Sequence, residues 1–120
     1  MKKYTFDIPP HITLSGEVYG FVYLIENLTD GSFYVGRKSL KGGTNPRTYT
    51  GSSKPLNTDI KKLGLHNFRF EVLEYCNTAK QLDMCEVKWM LMYDVLNCPH
   101  SYNQQIAGRW FKDRSIRCTK

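Results

Sequence analysis

The sequence predicts an α+β protein in which a small central three-stranded sheet, mostly antiparallel and made of a hairpin plus a third strand, is flanked by helices. Three observations predict it. Residues 21–26 (FVYLIE) and 33–37 (FYVGR) are short runs of β-branched and aromatic residues on either side of the turn-forming NLTDGS. Residues 68–75 (FRFEVLEY) alternate apolar with polar, the signature of a strand with one face inward. Leu82, Cys85, Trp89, Met92 and Leu96 recur at three- and four-residue intervals, which only a helix brings onto one face.

Residues 1–19 form an N-terminal extension in which Pro9 and Pro10 argue against a helix, and Ile12 to Leu14 suit a short edge strand. The hairpin follows, with its register open. A four-residue loop, Asn27 to Asp30, sets Tyr23 opposite Tyr34; a tight turn at Asp30-Gly31 slides Tyr23 toward Lys38. Residues 39–51 contain three glycines and Pro46 and read as a long, functional loop. A helix is expected next, capped by Ser52 or Ser53, tolerant of Pro55 in its first turn, apolar at Leu56, Ile60 and Leu63, and stopped by Gly64. The longest helix is expected from about Ala79 to Leu96, with Thr78 and Gln81 as a capping box. Glu86 falls at the margin of its buried stripe, where a carboxylate is partly desolvated unless a cation meets it.

At 120 residues the chain is sized for one domain, and 41% hydrophobic with 13% aromatic residues is too apolar for a disordered one. The expected division is 20–107 as the domain and 108–120 as a basic tail. No apolar stretch follows the N-terminal lysines, and no run approaches membrane-spanning length, so an intracellular, cytoplasmic protein is expected. The four cysteines are irregularly spaced and read mainly as small buried thiols, although Cys85, Cys98 and His100 make a conceivable zinc set. Seventeen basic against eleven acidic residues leave a net charge of +6. The excess is concentrated in Arg37 to Lys62 and in the tail, which marks Lys38, Lys41, Lys54, Lys61, Lys62, Arg109, Lys112 and Arg114 as candidate polyanion contacts.

Taken in order, these features resemble the GIY-YIG nuclease superfamily. FVY at 21–23, preceded by Gly20, and YVG at 34–36 stand where the two tripeptides are expected. GSSKPLNTDIKKLGLHNFRFEVLE resembles the connecting helix and third strand of phage and mobile-element members, Glu86 with Trp89 resembles the metal-binding glutamate and its tryptophan, and Tyr102-Asn103 the terminal YN pair. The resemblance implies a metal-dependent DNA endonuclease using Tyr23, Tyr34, an arginine, Tyr49, Glu86 and Asn103. Members usually carry an arginine with histidine or tyrosine one helical turn later; here Arg37 and Arg47 both compete, Arg37 slightly favoured, with Arg47 and Tyr49 as a loop pair.

In the implied chemistry, Glu86 holds a single divalent ion, Mg²⁺ or Mn²⁺, and the arginine neutralises charge at the phosphorus. Tyr23 takes the proton of the attacking water directly or through Tyr34, provided a nearby cation and arginine lower a pKa that is ordinarily near 10. Tyr49 orients water or phosphate, and Asn103 fixes the geometry around Glu86. The implied partner is double-stranded DNA, with no membrane and a monomer or weak dimer. The alternative is a nucleic-acid-binding module of the same fold without activity.

Overall fold

The computed structural model describes residues 5–41, 45–108 and 110–112. Its centre is strand β1 (Gly20–Asn27), paired antiparallel on one side with β2 (Phe33–Ser39) and on the other with β3 (Phe68–Cys76), in the order β2-β1-β3. The fold is α+β, as the sequence predicts. Every residue from Phe21 to Ile25 is buried, because both faces of the central strand are covered. Phe21, Tyr23 and Ile25 pack with Phe6, Ile8, Phe68 and Leu56 of α2 (Lys54–Leu63). Val22 and Leu24 face the other way, onto Leu82 and Met90 of α3 (Ala79–Met92). The sheet is thus a partition between two small cores.

Gly20 permits the close approach of α3. A Cβ there would lie 2.5 Å from the carbonyl oxygen of Lys38 and 2.8 Å from Leu82 Cδ2. Opposite β3 the pairing jumps between Val22 and Tyr23, from Glu74 to Val72, leaving Leu73 as an extra, bulged residue.

The hairpin register is neither of the two alternatives posed by the turn composition: Tyr23 pairs with Gly36 and Tyr34 with Ile25. The N-terminal segment corrects the expected edge strand. Pro10–Leu14 is a single short helix, α1, because proline is disfavoured inside a helix yet suits its first position, where no partner for its missing N–H is needed. The long helix stops at Met92 rather than near Leu96, with Asp94 in a left-handed conformation (φ 53°), and Met92 is exposed. Its buried side is Leu82 and Met90, with Cys85, Glu86 and Trp89 at the margin. The caps follow the sequence: Ser53 Oγ accepts from Leu56 N–H, Gly64 (φ 93°) ends α2, and Thr78 Oγ1 accepts from Gln81 N–H.

A two-stranded hairpin, β4 (Gln105–Ile106) with β5 (Trp110–Phe111), was not foreseen. Just before it, residues 100–103 run along the outer edge of β2. Phe33 N–H donates to the His100 carbonyl at 2.9 Å, and Tyr102 N–H donates to the Phe33 carbonyl at 2.7 Å. The Asn103 amide then accepts from Val35 N–H at 3.0 Å and donates to the Val35 carbonyl at 2.8 Å, standing in for one more strand residue. Among the described residues that cover stops at Val35. No helix among the described residues is long and apolar enough to cross a membrane.

Candidate active site

Strand alternation distributes the predicted residues around the rim of β2. Tyr34, Gly36 and Lys38 face the α2 side together with Tyr23, whereas Arg37 faces α3. The rings of Tyr23 and Tyr34 lie 6.1 Å apart between centroids, and Tyr49 meets Tyr23 edge-on at 5.8 Å. Gly36 makes this cluster possible. A Cβ at that position would lie 2.5 Å from Tyr23 Oη and 2.7 Å from Tyr34 Cε2.

From the opposite face, α3 sends Glu86 toward the same rim. Although the sheet separates α2 from α3, β2 is the outermost strand, so groups from both sides reach one cleft of about 510 Å³ whose lining includes Tyr34, Ser52, Lys54, Glu86 and Asn103. Arg37 Nε approaches Glu86 Oε1 at 3.9 Å, and its guanidinium also pairs with Asp83, one turn earlier on α3. Asp83 was missed in the sequence, although its i, i+3 spacing from Glu86 places both acids on one face. Lys88 pairs with Glu74 instead, which also accepts from Trp89 Nε1 at 2.8 Å and so ties α3 to β3.

The titrations follow burial. Tyr23 is 1% exposed, and its pKa stands well above 10.0 because of desolvation, then repulsion from Tyr34 and Tyr49. That is opposite to the lowering that use of Tyr23 as a base requires. Burial also raises Tyr34, against a hydrogen bond with Ser52 that lowers it. Burial raises Glu86 as well, and Arg37 pulls it down.

Other candidates sit elsewhere. Arg47 does not join the cluster: its Nε and Nη2 donate to the carbonyl of Ile8 at 3.1 and 2.8 Å, fastening the N-terminal segment to the long loop. Asn103 lines the cleft, but its amide is committed to Val35. Lys112 Nζ donates to the carbonyls of Ser101 at 2.7 Å and Cys98 at 3.3 Å, so it braces the 98–101 turn. Lys54 lines the cleft, and Lys61 and Lys62 are exposed on the last turn of α2. Lys38 and Lys41 lie over the rings of Tyr49 and Tyr19. Arg109 and Arg114 lie outside the described residues.

A metal would find one lining carboxylate, Glu86, together with the hydroxyls of Tyr34 and Ser52. That donor set fits a hard, oxygen-seeking ion that retains several waters, such as Mg²⁺. It does not suit zinc, and the described residues hold no group of three potential His, Cys, Asp or Glu ligands, which removes the Cys85, Cys98 and His100 set. Cys85 instead packs against the α3-side core, beside Cys76, whose thiol burial pushes up to about 12.

Comparison with known proteins gives a matching result. Residues 5–106 match the family model described as "Putative endonuclease segE, GIY-YIG domain". The chain is 30% identical over 91 residues to "Putative endonuclease segE" of Enterobacteria phage T4, covering 76% of this chain and 43% of that protein. It is 27% identical over 88 residues to "Putative endonuclease segD" of the same phage (73% and 38% covered) and 30% identical over 91 residues to "Putative endonuclease segB" (76% and 40% covered). The chain therefore spans about two fifths of the length of these curated relatives. No solved structure gives a significant match.

Proposed function

The chain belongs to the GIY-YIG endonuclease family, and from that premise we propose that it hydrolyses DNA phosphodiester bonds by in-line attack of water, dependent on a single divalent cation held by Glu86. The observation that carries this reading is the meeting of Tyr34 and Glu86 in one cleft at the rim of β2, with Arg37 3.9 Å from the carboxylate. Glu86 would hold Mg²⁺ or Mn²⁺, which when bound would supply charge neutralisation at the phosphoryl oxygens. Every other task falls to the chain itself.

Arg37 supports the same charge, since a planar guanidinium can leave Asp83 and fork onto phosphate oxygens. Tyr34, whose phenol lines the cleft, orients the attacking water and relays its proton to bulk solvent. Tyr23 is a positioning residue: a buried, neutral phenol that fixes the Tyr34 ring from behind. Tyr49 supports Tyr23 and carries Lys38, and Asn103 holds β2 in register. Double-stranded DNA is the substrate class, gripped by Lys38, Lys41, Lys54, Lys61 and Lys62, with Arg109 and Arg114 as further contacts.

Supercoiled plasmid incubated with the protein and Mg²⁺ is expected to be nicked or linearised, and a chelator to stop it. Glu86→Gln is expected to lower the rate by about a hundredfold or more, since even outer-shell partners of a metal cost 10- to 100-fold. Equal cleavage by wild type and variant removes Glu86 from the reaction. Salt-sensitive binding with no cleavage under any divalent ion leaves the binding module as the function.

A further inference from the structure

Arg37 lines a second cavity, of about 340 Å³, together with Tyr19, Lys38, Ser39, Tyr49 and Asp83. Two ammonium groups are parked over its aromatic walls. Lys38 Nζ is 4.9 Å from the Tyr49 ring centroid, and Lys41 Nζ is 5.3 Å from that of Tyr19. Such contacts hold an exposed cation weakly, so the charge stays ready for a stronger partner. Asp83, the acid in the lining, already pairs with Arg37. Two lysines therefore remain without a carboxylate partner among the described contacts, beside a half-buried phenol ring.

We infer that this cavity is a subsite for the nucleotide next to the scissile phosphate, with Lys41 and Lys38 meeting its phosphate and the Tyr19 ring packing against its sugar or base. The subsite rests on the nuclease reading. Its placement follows from Arg37, which lines this cavity and lies 3.9 Å from Glu86: a strand with its scissile phosphate at Arg37 and Glu86 carries a neighbouring phosphate past that guanidinium. On the side of the open half of β2, the lysines and rings are waiting. The joint presence of cations and aromatic faces favours a nucleotide over a free inorganic anion, because the rings add a sequence-tolerant stacking surface.

The cleaved bond is first mapped with the wild-type protein. Duplexes carrying one neutral methylphosphonate at each position around the cut are then titrated by fluorescence anisotropy against Glu86→Gln protein, alone and combined with Lys41→Ala or Tyr19→Leu. One flanking methylphosphonate is expected to weaken binding about fivefold or more, and to cost clearly less in the Lys41→Ala background, where Lys38 alone still meets that phosphate. Lys41→Ala should also reduce the slope of log affinity against log salt by about one. Tyr19→Leu keeps apolar packing and is expected to weaken binding without changing that slope.

If Lys41→Ala remains as sensitive to that methylphosphonate, or neither variant alters affinity, the subsite is wrong while the cleavage chemistry stands. Absence of any cut by the wild type fells the nuclease reading and the subsite with it. Lys41 is exposed, so its variant remains informative should Tyr19→Leu fold poorly.

Discussion

Single residues set the site, and Gly36 is the most constrained of them. With a Cβ 2.5 Å from Tyr23 Oη, Gly36→Ala must displace a fully buried ring, at a cost of about 1–3 kcal/mol. A lower urea midpoint and a loss of cleavage are expected together; retention of both shows that the rings tolerate the extra carbon. Tyr23 makes a second prediction. Its folded-state pKa lies above the ordinary 10.0, so the fold favours the protonated phenol. That contribution is complete below about pH 10 and is lost as pH climbs through the folded value. Unfolding free energy should therefore fall above pH 10, and fall less steeply in Tyr23→Phe; identical pH profiles discard the account. The residue types were legible because motif order survives in the linear chain. Whether Arg37 or Arg47 approaches Glu86 was not, since Arg47 is held by a partner 39 positions away, the Ile8 carbonyl.

Elements were legible where their determinants are local. The start and stop of α2 are written in Ser53 and Gly64, and the alternation of β3 in its own side chains. Pro10 misled because one residue type both ends helices and begins them. The end of α3 misled because the apolar spacing continues past the point where the backbone turns at Asp94. Least legible was the covering of β2 by residues 100–103, a contact across 68 positions made by a side-chain amide acting as backbone. Asn103→Ala leaves the buried N–H and C=O of Val35 without that amide and should cost on the order of 2–3 kcal/mol. Because Tyr34 adjoins Val35 and Arg37 lies two residues beyond it, cleavage should drop further than stability alone explains, which saturating-substrate rates on the folded fraction will test. Full activity in that fraction confines Asn103 to a stability role.

Across the whole molecule, the excess of seventeen basic over eleven acidic residues was readable from composition, but which of those charges are free was not. Lys112 is spent on carbonyls, whereas among the described residues Lys38 and Lys41 lie over rings. The expected affinity for DNA is thus steeply salt-dependent and only weakly sequence-dependent, since phosphate contacts carry no base information. The partition between two cores has a mechanical consequence. Because the groups proposed to react sit at the rim of the outermost strand, a stiff polymer can lie alongside them. Departure of the cut polyanion is then expected to be the slow event. Adding salt at saturating DNA should accelerate repeated turnover even as it loosens the grip, and a burst of first-cycle product that shrinks with ionic strength is the signal to seek.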